Sequence, residues 1–254
     1  MENFDAVKTT DEIIEFIREY YASNNLKGVV LGISGGKDSG VVAGLFAKAI
    51  GPQNILGITM PCHSKEQDKS DAQLVADYYG FNMINFDLTE AFDQYKEELA
   101  KLGEYSPEEL KDADINLKPR LRMATLYYFA ALYSKLKKGT YIVAGTGNKC
   151  EIYVGYFTKG GDGMSDINVL GDLTVDQVIA VGEVLNVPAP VLHKAPNDGL
   201  SNQTDEEKLG VKYSEIADYM ENPELVLEPQ RSKILQLHNN CQHKFNTPIY
   251  RRNK

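Results

Sequence analysis

Residues 28–39 read Gly28-Val29-Val30-Leu31-Gly32-Ile33-Ser34-Gly35-Gly36-Lys37-Asp38-Ser39. The run Gly28 to Ile33 is short, apolar and closed by a glycine turn, which is how a buried parallel strand reads. A helix is expected from about Lys37, with Val41, Val42, Leu45 and Phe46 on its inner face. Working outward, Asn54 to Met60 is a second strand stopped by Pro61, Ser70 to Tyr79 a helix, and Asn82 to Phe86 a third strand. Upstream, a helix starts at Thr10-Asp11 and carries an apolar stripe through Ile13, Ile14, Phe16, Ile17, Tyr20 and Tyr21. Downstream come helices over 88–102 and 117–136, a fourth strand over 140–144 and a helix over 174–185. Strands alternating with helices predict right-handed crossovers, hence a doubly wound, mostly parallel α/β sheet with helices on both faces. Residues 103–114 and 197–208 are polar with weak periodicity and are expected to be mobile loops.

Bulk properties narrow the function classes. The chain has 254 residues, 43% apolar and 25% charged, with a net charge of −9. That length fits a single domain over 1–254 with a substantial core. The acidic balance argues against nucleic-acid binding, which draws on clustered Lys and Arg. No apolar run approaches the ~20 residues of a membrane span, and no signal peptide is visible. Cys62, Cys150 and Cys241 stand far apart without metal spacing, so free thiols and a cytoplasmic location are expected.

The turn after the first strand carries the chemistry. Ligands of doubly wound sheets sit beyond the carboxyl ends of the strands. There, adjacent glycines expose successive N–H groups and a helix start adds partial positive charge, a combination suited to phosphate. The segment is not a Walker loop, because Asp38 follows the lysine in place of Ser or Thr. Nor does it match the dinucleotide fingerprint, since no acidic residue ends the second strand. A carboxylate in such a loop makes sense if it holds a Mg²⁺ that bridges to phosphate oxygens.

Ser34-Gly35-Gly36-Lys37-Asp38-Ser39 resembles the S-G-G-x-D-S signature of the pyrophosphate-loop ATP pyrophosphatases, and the later segments resemble those of ammonia-dependent NAD synthetases. Asn116-Leu-Lys-Pro-Arg-Leu-Arg-Met123 resembles N-x-x-x-R-x-R-M, and Gly145-Thr-Gly-Asn-Lys-Cys-Glu151 resembles G-T-x-x-x-x-E. The most distinctive is Gly155-Tyr-Phe-Thr-Lys-Gly-Gly-Asp-Gly-Met-Ser-Asp166, which resembles G-[FY]-F-T-K-x-G-D-G-x-x-D. Lys194-Ala-Pro-Asn197, Asp205-Glu206, Leu209-Gly210 and His243-Lys244 follow in order.

The resemblance implies an adenine nucleotide alpha hydrolase-like fold without a glutaminase domain. It also implies a reaction, in which ATP and Mg²⁺ adenylate the nicotinate carboxylate of deamido-NAD and ammonia then displaces AMP to give NAD. The roles it carries over are catalysis for Asp38 and metal binding for Asp38 and Glu151, each taken to stand at a strand end. Lys37, at the variable position of the loop, is assigned a catalytic role of its own as a phosphate ligand. ATP contacts fall to Gly32, Ile33, Ser34, Gly35, Gly36, Lys37, Asp38, Ser39, Thr146, Lys194 and Asn197. Contacts to deamido-NAD fall to Arg120, Lys159, Asp166, His243 and Lys244. The family also places a homodimer interface beside its dinucleotide site, so Tyr127, Tyr128, Phe129 and Tyr133 are either core or interface. Cys62-His63 has no partner pair for a metal, and Asp205-Glu206-Glu207 reads as a solvated helix start.

The alternatives are another pyrophosphate-loop ligase or sulfur transferase with a different acceptor, and a non-catalytic nucleotide-binding regulator that kept the fold, against which intact Asp38 and Glu151 argue. Two departures stand out. Val175 lies where the family often has a phosphate-binding lysine, and Asn197 where it often has Thr. If Lys37 or Lys194 supplies the missing charge, Lys37→Ala or Lys194→Ala weakens ATP binding. Calorimetric titration decides this, and two wild-type affinities would remove the idea.

Overall fold

The computed structural model describes residues 4–64, 66–194, 204–250 and 252. The chain begins with α1 (Ala6–Ser23), whose start is capped by the Asp5 carboxylate accepting from the Lys8 N–H. The helix therefore starts four residues before the expected Thr10, with Asp5 as the stronger cap. There follow β1 (Leu26–Gly32), α2 (Lys37–Ile50), β2 (Ile55–Thr59), α3 (Glu66–Tyr79) and β3 (Asn82–Asn85). Next come α4 (Thr89–Ala100), α5 (Pro107–Leu136), β4 (Thr140–Gly145), α6 (Lys149–Val154) and the two-residue β5 (Ile167–Asn168). The chain closes with α7 (Val175–Val184), α8 (Ala189–Leu192), α9 (Asp205–Leu209), α10 (Tyr213–Glu221) and α11 (Gln230–Cys241).

All strand pairings are parallel, in the order β3-β2-β1-β4-β5. Strand alternation sorts side chains to two faces. Val29 and Leu31 join α1, α2, α3 and α7 in one apolar layer, in which Val41, Val42, Leu45 and Phe46 are fully buried. Val30, Leu56, Ile58 and Val143 face the other way, against Phe92 of α4 and Phe129 and Ala130 of α5. The doubly wound expectation therefore holds. A third cluster joins Cys150 and Val154 of α6 to Ile216 of α10 and Ile234 of α11.

One expected loop is a helix. Residues 107–114 form the first turns of the 30-residue α5, started by Ser106 and Glu109 in a capping box with Pro107 at the first helical position. The Lys96–Asp114 ion pair ties this extension to α4. Within the other expected loop, 205–208 belong to α9, and 197–203 lie outside the described residues.

The sheet is tightest where Gly28 crosses Tyr141. A Cβ at Gly28 would lie 2.3 Å from the Tyr141 ring and 2.5 Å from the Asn54 carbonyl oxygen. Gly28→Ala is expected to destabilise the fold by about 1–3 kcal/mol, the usual cost of overpacking a filled core. Urea unfolding measures it, and a stability within 0.5 kcal/mol of wild type, the ordinary scatter of neutral substitutions, would mean the strand gives way freely.

Candidate active site

Strand order reverses between β1 and β4, and the turns following these two strands therefore flank one crevice at the carboxyl edge of the sheet. The first of these turns is Ser34 to Ser39. Ser39 Oγ donates to the Gly36 carbonyl at 3.0 Å and accepts from the Ser34 N–H at 3.3 Å. The Gly36 N–H donates to Ser34 Oγ at 3.2 Å. Gly35 has φ +76°, and a Cβ there would meet the Asp68 carbonyl oxygen at 2.4 Å. Only glycine suits that position, since it is both left-handed and pressed against α3. Gly36 caps α2, so the positive end of this 14-residue helix opens on the turn.

The second turn runs from Thr146 into α6. Asn148 and Glu151 form a reciprocal capping box: the Asn148 N–H donates to Glu151 Oε2 at 3.0 Å and the Glu151 N–H to Asn148 Oδ1 at 3.1 Å. Glu151 thus stands in the first turn of a helix rather than at the strand end. Its carboxyl, held by that cap, lies close enough to Asp38 to feel its charge. Thr146 lies half-buried beside it.

Asp38 and Glu151 meet electrically. Burial raises the Glu151 carboxyl well above the usual carboxylate range, and the charges of Asp38 and Asp205 push it further; the Asn148 N–H and Lys37 pull the other way. Asp38 Oδ1 is buried without a hydrogen-bond partner. Among the described residues no group of three or more His, Cys, Asp or Glu is arranged to hold a metal ion. Two crowded carboxylates, one with an orphaned oxygen, nevertheless suit a hard divalent cation that fills its other positions with phosphate oxygens and water.

Asp205 corrects the sequence reading of its segment. It is 5% exposed, not solvated, and accepts from the Tyr156 hydroxyl at 3.2 Å. The Tyr213 hydroxyl lies buried nearby with no partner, its pKa raised by burial and then by Glu151 and Asp205. Asp205 opens α9 and Tyr213 opens α10. Their joint approach to Glu151 had no signal beyond the Asp205-Glu206 match.

Lys37 is 6% exposed, with Nζ 3.3 Å from Asp38 Oδ2. Lys194 Nζ donates to Asp68 Oδ1 at 2.8 Å and Asp71 Oδ2 at 2.6 Å, on the stretch of α3 that packs against Gly35. Burial alone would lower the Lys194 pKa; these two carboxylates raise it instead. Both lysines therefore border the loop, one turned inward and one alongside. Val175 sits partly buried against the α6–α10–α11 cluster. Asn197 lies outside the described residues.

The remaining expected residues gather where α5 meets the 155–166 segment. Gly161 packs on Pro119 of α5 so closely that a Cβ would come within 2.9 Å, and Thr158 Oγ1 donates to Asn116 Oδ1 at 2.8 Å. Arg120 Nε donates to the Lys159 carbonyl at 3.4 Å, and Lys159 Nζ to the His243 carbonyl at 2.6 Å. Lys244 Nζ donates to the Gly155 and Phe157 carbonyls, each at 2.7 Å, and burial lowers its pKa. Lys244 is thus a clamp on the segment. The His243 ring bonds to the Asn240 carbonyl at 3.0 Å. Asp166 accepts from the Val143 N–H at 2.8 Å and from the Tyr127 hydroxyl at 3.2 Å; burial and then Asp166 push that phenol up to about 12.

This geometry coincides with a match along nearly the whole chain. The NAD synthase family profile covers residues 9–252. The chain belongs to the NAD synthase family. It is 41% identical over 212 residues to the NH(3)-dependent NAD(+) synthetase of Carboxydothermus hydrogenoformans, covering 83% of this chain and 84% of that one. It is 37% identical over 252 residues to the enzyme of the same name from Archaeoglobus fulgidus, covering 97% and 96%. Among solved structures, NMN synthetase from Francisella tularensis superposes with a TM-score of 0.86 at 30% identity, covering 98% of this chain and 99% of that one.

Glu151 offers a test by pH. Its proton is held to a higher pH in the folded protein than in the unfolded chain, so its contribution is fully present below the unfolded value. That contribution is lost as pH rises through the raised folded value. Glu151→Gln keeps an acceptor for the Asn148 N–H and removes the titration. In metal-free buffer the melting temperature of the variant should gain on wild type as pH rises, by about 2–4 °C for each kcal/mol removed in a chain of this size. A difference that stays constant from pH 5 to pH 9 would contradict the crowding.

Proposed function

We propose that this chain is an ammonia-dependent NAD synthetase, which adenylates the nicotinate carboxylate of deamido-NAD with ATP and amidates it with ammonia. The observation that carries the reading is the approach of Asp38 and Glu151 beside the Ser34–Ser39 loop, within a chain that belongs to the NAD synthase family. A carboxylate oxygen of the nicotinate attacks the α-phosphorus, the bond to the bridging oxygen breaks, and pyrophosphate leaves. Ammonia then attacks the acyl carbon, AMP departs with the bonding electrons, and the nitrogen loses a proton.

The protein's part is positional and electrostatic. Negative charge grows on the departing pyrophosphate, where the loop and the positive end of α2 receive it. Asp38 and Glu151 would hold Mg²⁺, which when bound neutralises charge on the phosphate oxygens. Ser34 and Ser39, cross-bonded at 3.1 Å, fix the shape of the loop before ATP arrives. Lys194 stands where it could turn from Asp68 and Asp71 to a phosphate. Arg120 and Lys159 would meet the diphosphate of deamido-NAD, and Asp166, fixed by Tyr127 and Val143 of β4, would accept from its ribose hydroxyls.

We read residues 1–254 as a single catalytic domain, cytosolic in keeping with its three free cysteines. No described helix is long and apolar enough to cross a membrane. A homodimer is supported by Tyr128, Leu132 and Leu136, exposed one helical turn apart on α5. A second acceptor, nicotinate mononucleotide giving NMN, is favoured by the likeness to the Francisella structure.

The test is a coupled assay of NAD formation with ammonia or glutamine as donor, run beside the mononucleotide acceptor. NAD formation with ammonia is expected, and Asp38→Asn should lower the rate roughly a hundredfold or more. Turnover with glutamine alone, or with the mononucleotide but not deamido-NAD, would overturn the assignment.

A further inference from the structure

The lysine inside the loop has an unusual place. A phosphate ligand would be expected to reach outward, yet the Lys37 side chain is 6% exposed and folds back to 3.3 Å from Asp38 Oδ2. Its charge also acts on Glu151, opposing the repulsion from Asp38. Lys37 therefore lies among the same carboxylates that a divalent cation would use. The other oxygen of Asp38, Oδ1, is left buried and without a partner.

We propose that Lys37 is a resident counter-cation that keeps free divalent metal out of the site until nucleotide arrives. This rests on the reading of Asp38 and Glu151 as the metal carboxylates. Lys37 already offsets one of the negative charges that Asp38, Glu151 and Asp205 bring to this place. A divalent cation placed there alone is set beside a second cation in a buried place, where like charges repel strongly. ATP changes the balance, because its phosphates bring enough negative charge to accommodate both cations. Metal and nucleotide then load as one complex. With a neutral side chain at position 37, two carboxylates would meet the divalent ion without a competitor.

The experiment is a Mn²⁺ titration of the ligand-free protein, followed by loss of the free-ion paramagnetic resonance signal. Wild type should bind Mn²⁺ weakly. Lys37→Met and Lys37→Gln should each bind it roughly tenfold tighter or more, since ~1.4 kcal/mol of relieved repulsion corresponds to that factor. Lys37→Arg, which keeps the charge, should behave as wild type, and adding Asp38→Asn to Lys37→Met should abolish the gain. Thermal melts identify any variant that fails to fold, and Gln serves if Met does not fold.

A parallel calorimetric titration uses the Mn²⁺ complex of an ATP analogue with a methylene between its α and β phosphorus atoms. Weaker binding by Asp38→Asn than by wild type upholds the metal site, whereas equal binding overturns that site and this proposal with it. If the metal site is upheld but neither neutral variant gains affinity for free Mn²⁺, the counter-cation role alone is wrong.

Discussion

Parallel pairing of β1 with β4 is the constraint on which the site depends, because these strands are 108 positions apart at Gly32 and Thr140 yet run side by side from Val29 to Leu31. Everything chemical follows from what each strand releases at its carboxyl edge. The turn after β1 delivers Asp38 in the first turn of α2, and the turn after β4 delivers Glu151 in the first turn of α6. Both helices begin on the crevice, so two positive helix ends and two negative carboxyls share one place. Neither turn alone brings two carboxylates together; the sheet order makes them a pair.

That pairing carries an electrostatic cost which the surroundings partly offset. The Asn148 cap directs an N–H at Glu151, and Lys37 lies against Asp38, while Asp205 adds a further negative charge from a distant helix. The site is therefore held short of charge balance in the absence of ligands. A protein selected for stability alone would have little use for this arrangement. Under the proposed function, a polyanion arriving with a divalent cation completes the balance.

A second packed unit forms where α5 meets the 155–166 segment. Gly161 rests on Pro119, Asn116 accepts from Thr158, and Lys244 closes on the carbonyls of Gly155 and Phe157. Here side chains that read as ligand contacts in the sequence spend their donors on backbone carbonyls. Lys244 holds the segment through these carbonyls, the His243 ring bonds to the Asn240 carbonyl, and Arg120 and Lys159 donate to the carbonyls of Lys159 and His243. Gly155, at φ +68° and pressed on Cys241, lets the chain turn there.

The sequence by itself determined four of the five strands, their parallel winding and the family, while the two-residue β5 left no pattern to read. A run such as GVVLGI followed by SGGKDS has few physical readings, and apolar periodicity survives whatever the tertiary context. It also held the start of α5, in the Ser106-Pro107-Glu108-Glu109 cap, where polarity had pointed to a loop. Only the tertiary structure decided the directions of the charged groups. A lysine beside an aspartate in sequence has equal access to solvent or core, and Asp205 in an acidic run reads as solvated until Tyr156 is found against it. Those choices depend on burial and long-range electrostatics, which are set by elements far apart in the chain and leave no local pattern to read.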